Sequence, residues 1–205
     1  MSDKDYLKDI SEIKEMMNKS SRFISLSGLS GILAGIYALV GAYLAKFILA
    51  NYNYLSQRKN PMNIDETQFK LIVIAVVVAV LSIVTAFILT RKKAKQHGTS
   101  IWDSTTKRLL FNFLVPLFTG GIFSLILLNQ GFYGFIAPAT LIFYGLALFS
   151  ASKYTFGNVK YLGIAEIILG LISMNYIGYG LYFWAIGFGV LHIIYGTLMY
   201  FKYDK

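Results

Sequence analysis

Two ionisable side chains stand where an apolar membrane span would carry none: Glu166 inside the run 161–176 and His192 inside the run 178–201. A carboxylate in hydrocarbon costs several kcal/mol unless it is neutralised, paired or hydrated, which makes an intramembrane acid a functional candidate on physical grounds alone. Histidine changes charge near physiological pH. An acid and an imidazole within reach of one another can share a proton, pass it on, or clamp two helices together. Counted from residue 161, Glu166 lies ~8 Å along its helix from the cytoplasmic end, and His192 lies ~12 Å from that same membrane face. A tight turn near 176–179 makes the two spans antiparallel, so the pair falls within about one helical turn. The spacing predicts a Glu166–His192 hydrogen bond or ion pair. Two readings of it stand: a proton-titrating element, or a structural polar clamp of about 0.6–2 kcal/mol.

Small residues mark the faces on which these groups lie. Gly163, Glu166, Gly170 and Ser173 share one stripe, and Ala185, Gly189, His192 and Gly196 share another. Small residues allow close helix contacts in lipid, so both ionisable groups are expected to point into the bundle rather than at lipid. A third stripe, Gly28, Gly31, Gly35, Ala38, Ala42 and Ala45, predicts tight packing against a span of the same chain or of a second copy. Pro116 and Pro138 are expected to kink or locally unwind their spans, and with Gly120-Gly121 they could open backbone carbonyls toward a central site. Asn112 is expected to bond across helices, and Lys46 to snorkel to the headgroups.

The elements that must position these residues follow from composition. The chain has 205 residues, 56% hydrophobic and only 14% charged, against about 25% charged in a soluble domain. Crossing roughly 30 Å of hydrocarbon takes about 20 apolar residues, and backbone groups in lipid must be satisfied within the segment, which requires helices. Six spans are read at 23–45, 71–90, 109–128, 132–152, 161–176 and 178–201, giving an all-α polytopic transmembrane bundle over 23–201. Residues 1–22 repeat Tyr6, Ile10, Ile13 and Met17 at helical spacing and predict a short cytoplasmic amphipathic helix, either resting on headgroups or docking a partner. No cleaved signal peptide is read there. Residues 202–205 form a tail.

The net charge of +9 is a topology signal. Lys4, Lys8, Lys14, Lys19 and Arg22 precede the first span; Arg91, Lys92, Lys93, Lys95, Lys107 and Arg108 lie between the second and third; Lys153, Lys160, Lys202 and Lys205 follow on the same side. The opposite side holds Arg58 and Lys59. The positive-inside rule then places both termini and the basic loops in the cytoplasm. With the charge so explained, the expected partner is the lipid bilayer, with no nucleic acid and a possible homo-oligomer. The absence of cysteine excludes disulfides, thiolate metal sites and cysteine nucleophiles. No paired carboxylates, histidine cluster, phosphate loop or nucleophile with an evident base is visible, so neither an enzyme, a metal nor a cofactor is expected. His97 has no evident partner.

Spans three to six read as a duplicated helical hairpin in parallel orientation. Residues 121–127 match 163–169, placing Ser124 opposite Glu166, and Phe143-Tyr144-Gly145 echoes Ile194-Tyr195-Gly196. The stretches 12–17 and 20–31, the loop Ile101-Trp102-Asp103-Ser104 and the segment 188–196 resemble an uncharacterised family of bacterial six-helix integral membrane proteins. The hairpin pattern is similar, more weakly, to acid-resistance membrane proteins built from helical hairpins. The resemblance implies a multi-pass protein of the bacterial inner membrane and carries over no catalytic or binding motif. The expected function is a non-enzymatic accessory, stress-linked or sensory membrane protein. The alternative is a small proton-linked transporter or channel using Glu166 and His192.

Overall fold

The computed structural model describes residues 28–57, 64–96, 102–155 and 159–203. The expected amphipathic helix 1–22, the start of the first span at 23–27, His97 and the last two tail residues lie outside the described residues.

Among the described residues six helices follow one another: α1 (Gly28–Gln57), α2 (Ile64–Gln96), α3 (Ser104–Asn129), α4 (Ile136–Ala151), α5 (Val159–Ser173) and α6, residues 180–203. Five helical segments among the described residues are long and apolar enough to cross a membrane, α4 counting with the 3-10 turns that extend it to Tyr133–Tyr154. The exception is α5, whose 15 residues reach only about 22 Å at 1.5 Å per residue. Backbone bonds continue beyond it, from Met174 N to Gly170 O (3.3 Å) and from Tyr176 N to Ser173 O (3.1 Å), which tightens the chain into the turn before α6. Gly178 takes a φ of 100° in that turn, a left-handed conformation that glycine adopts without a Cβ penalty.

Helix ends are defined by local chemistry. Asp103 caps α3, its Oδ1 accepting from both the backbone N–H and the hydroxyl of Thr106 at 2.7 Å each, which satisfies an orphan donor of the first turn. The far end of α3 closes in a Schellman motif: Phe132 N bonds Leu127 O at 2.8 Å and Gly131, at φ 79°, bonds Leu128 O at 3.1 Å. Pro116 lies within α3. Pro138 does not kink α4 at mid-span; it is the third residue of that helix, in the first turn, where the missing N–H has no intrahelical partner to lose.

The helices assemble as two triplets. α1 packs on α2 and on the length of α6, while α4 packs on α3 and α5. The triplets meet where α4 and α5 touch the first half of α6. A hydrogen bond from Gln68 Nε2 to Tyr133 Oη (2.7 Å) ties the start of α2 to the turn before α4. Lys46 lies over the Tyr182 ring, 5.4 Å from its centroid, joining α1 to α6 at that same end.

Glycines fix both triplets, in one repeated geometry. A methyl on Gly163 would stand 2.7 Å from Gly145 O and 2.9 Å from Phe149 N; a methyl on Gly28 would stand 2.5 Å from Gly196 O and against Tyr200 N. One turn or two further on, Gly170 abuts Ile142 and Gly35 abuts Ile193. The crossing of α5 on α4 is thus reproduced by the crossing of α1 on α6. This settles the stripe on α1, which packs within the same chain. The stripes of α5 and α6 go to different helices. Gly163 and Gly170 lie on α4, whereas Gly189 and Gly196 lie against α1, meeting Leu39, Ile32 and the Gly28 carbonyl. Each stripe has gone to a helix that offers its own glycine at the crossing, because only then can two backbones approach so closely.

Candidate seam site between the helix triplets

The site grows from that arrangement. Gly163 and Gly170 hold α5 tightly on α4, and Glu166, between them, sends its side chain sideways to α6. It is fully buried. Its carboxylate rests on Gly187: a methyl there would stand 2.5 Å from Glu166 Oε2 and 2.5 Å from Leu141 Cδ2. The absence of a side chain at Gly187 is what gives the carboxylate room.

Gly187 belongs to a π-helical stretch, Ala185–Leu191, that interrupts α6. Such stretches place residues five apart in register and recur at functional sites. Here the residue five positions on is His192, whose Nδ1 lies 3.0 Å from Gly187 O. A carbonyl only accepts, so Nδ1 carries the proton and donates. The other ring nitrogen, Nε2, lies 2.8 Å from Tyr144 Oη; in the neutral ring it therefore accepts from the tyrosine hydroxyl. Two hydrogen bonds, one from each triplet, thus set the tautomer and the orientation of the imidazole. His192 is itself 7% exposed.

Glu166 Oε1 is 3.5 Å from His192 Nδ1. The structure brings the two predicted residues together at ion-pair distance, while the Nδ1 proton is directed at Gly187 O. Neither carboxylate oxygen has a hydrogen-bond partner among the described residues. Rings close the site on the far side. Tyr144 packs against Phe188 at 4.9 Å and edge-on to Phe113 at 6.2 Å, and Trp184 packs on Phe188 at 4.9 Å. Trp184 thus joins this stack, whereas Tyr176, Tyr179 and Tyr182 are exposed.

Two members of the site were not singled out from sequence. Tyr144 was noticed only as part of an echo, because a tyrosine in a helix of apolar residues does not announce a partner on another helix. Gly187 lies five residues before His192, which in an α-helix is a different face; only the π register unites them. Asn112 is corrected as well: it is half-exposed and its Nδ2 bonds Arg108 O of its own helix at 2.8 Å, the local answer for an amide that meets no polar group on a neighbour. Ser124 is buried on α3 with no partner for its hydroxyl among the described residues, and Gly121, matched by sequence to Gly163, has nothing within 4 Å of where a Cβ would stand.

Chemically, the cluster is an acid, an imidazole and a phenol in sequence, able to hold or redistribute a proton. Among the described residues no three His, Cys, Asp or Glu side chains converge on a metal position. Helices of this length and apolarity, meeting around such a cluster, define a polytopic helical membrane protein. No family model, curated protein or solved structure matches the chain.

Proposed function

We propose that the chain is a non-enzymatic accessory or sensory protein of a bacterial inner membrane, and that the seam at Glu166, His192 and Tyr144 is its working element. On this reading α5 also crosses the membrane, as the fifth of six spans, residues 1–22 form an interfacial helix, and both termini face the cytoplasm. Membership of the uncharacterised bacterial six-helix family is part of the same proposal. So is descent from a repeated hairpin, which the matching crossings at Gly145–Gly163 and Gly196–Gly28 support. The observation that carries the function is the placement of the cluster: a fully buried acid and its imidazole sit where two helix triplets join. A change in charge or bonding there acts on the relation between the triplets, which is what a sensor needs.

A second reading, a small proton-linked transporter, is favoured by the continuity of Tyr144, His192 and Glu166 across three elements. Proton flux into liposomes carrying the purified protein separates the two. The accessory reading expects flux no greater than in empty vesicles for both the wild type and Glu166→Gln. Flux present in the wild type and removed by Glu166→Gln would overturn it and establish the transporter.

A further inference from the structure

Among the described residues the Glu166 carboxyl accepts no hydrogen bond, and its nearest ionisable neighbour is His192 Nδ1 at 3.5 Å. The elements packed against it are α4 and α6, with α5 its own helix. From α4 the titratable group at the site is Tyr144, and from α6 it is His192, with Tyr195 near Tyr144. Along α5 the nearest titratable residues are Tyr161 and Lys160, at its exposed start. No lysine or arginine faces it among the described residues. The His192 Nδ1 proton is donated to Gly187 O at 3.0 Å, and its 3.5 Å separation from Oε1 is too long for a second good hydrogen bond. Oε2 meets Gly187 and the Leu141 methyl.

A buried ionised carboxylate left in this state is costly, and such groups neutralise or recruit a ligand. A hard metal cation would need several oxygen donors at about 2.0–2.6 Å. The other oxygens documented at the site are Gly187 O and Tyr144 Oη, and both are engaged by His192. A proton needs no such shell.

We propose that the Glu166 carboxyl is an exchangeable proton-binding site, with His192 and Tyr144 as the residues that position it and tune its exchange. The proposal rests on the reading of the seam as the working element, and it names the ligand of that seam.

The test is labelling by dicyclohexylcarbodiimide, an apolar reagent that enters bilayers, applied to the full chain in liposomes and read by peptide mass. A protonated carboxyl adds across one N=C bond: its proton goes to a carbodiimide nitrogen and its oxygen bonds to the central carbon. An oxygen-to-nitrogen acyl shift then leaves a stable N-acylurea. Expected is labelling at Glu166 that falls at least tenfold as pH is raised through the range the liposomes tolerate, and that is absent from Glu166→Gln. Tyr144→Phe and His192→Gln are expected to remain labelled but with a displaced pH profile, which a purely structural role would not produce. Labelling that appears only after denaturation in detergent, or that does not change with pH, would overturn the proposal. So would suppression when sodium replaces choline at constant pH, which would make the site one for a metal cation. Proton flux in liposomes would overturn the accessory reading and leave this result standing, so the two failures are separable.

Discussion

The carboxylate of Glu166 occupies the space that a side chain at Gly187 would need. A methyl at Gly187 would stand 2.5 Å from Glu166 Oε2 and equally close to Leu141 Cδ2. Gly187 is therefore a packing partner of the acid and not merely a flexible point in α6. Overpacking a filled site costs about 1–3 kcal/mol. Gly187→Ala is expected to destabilise the protein by that order in a detergent unfolding titration. Because Glu166 is one of the two groups in the way, the cost is expected to shrink in a Glu166→Ala background. Equal cost in both backgrounds would mean the carboxylate does not rest on Gly187.

The glycines make a sharper contrast on α3. Gly120 and Gly121 are neighbours in sequence, yet a methyl on Gly120 would run into the Phe143 ring, whereas one on Gly121 meets nothing within 4 Å. Gly→Ala in an open helical position gains about 0.5–1 kcal/mol from propensity and unfolded-state entropy. Gly121→Ala is thus expected to be neutral or mildly stabilising and Gly120→Ala destabilising. At Gly28 and Gly163 the nearest obstructing atoms are backbone of a second helix, so alanine there is expected to force the helices apart and to cost at least as much as at Gly120, where Phe143 Cβ and ring stand in the way. The same unfolding titration, run on the four variants, checks the order.

Much of this architecture is legible in residue types, and the parts that are not have identifiable physical reasons. Helices are required by apolar runs that must satisfy their own backbone. The runs place the last four within about five residues, whereas α1 runs on to Gln57 and α2 extends from Ile64 to Gln96, well past the expected 45 and 71–90. Gly28, Gly31, Gly35, Gly163, Gly170, Gly189 and Gly196 all lie at close approaches, as small residues in lipid should. What a stripe does not carry is the identity of its partner. Sequential spans five and six suggest a pair, but Gly163 fits Gly145 on α4, and Gly196 fits Gly28 at the other end of the chain. Glu166 and His192 come together for a different reason than the stripes imply. The acid reaches across from an α4-facing helix onto a glycine that the π register aligns with the imidazole. No α-helical periodicity encodes that register.

Both ring bonds of His192 can be tested separately. Nδ1 donates to Gly187 O at 3.0 Å and Nε2 accepts from Tyr144 at 2.8 Å, so nitrogen NMR of the labelled ring in bilayers is expected to show the proton on Nδ1 in the neutral state. Tyr144→Phe removes the hydroxyl and keeps the contacts with Phe188 and Phe113. It is expected to leave the Nδ1 proton in place, shift the Nε2 resonance, and cost about 0.6–2 kcal/mol, the range for a polar contact between membrane helices. A ring with its proton on Nε2 would contradict the geometry, since Nδ1 would then confront a carbonyl oxygen with two lone pairs opposed.

The acid and the imidazole remain to be tested as a pair. Their nearest atoms are 3.5 Å apart, both groups are buried, and His192 is held in place by two hydrogen bonds that do not involve Glu166. Removing either partner should therefore disturb the other without collapsing its position. Contacting residues in one network show interaction energies of about 0.5–3 kcal/mol in double-mutant cycles. Glu166→Gln preserves shape and an acceptor oxygen while abolishing the charge, and His192→Gln preserves polarity while abolishing the ring. The cycle is expected to give a coupling of about 0.5–2 kcal/mol, because an imidazole beside a carboxyl stabilises whichever protonation state the pair shares. Strictly additive costs would show that proximity here is packing alone, and that Glu166 answers to Gly187 and Leu141 but not to His192.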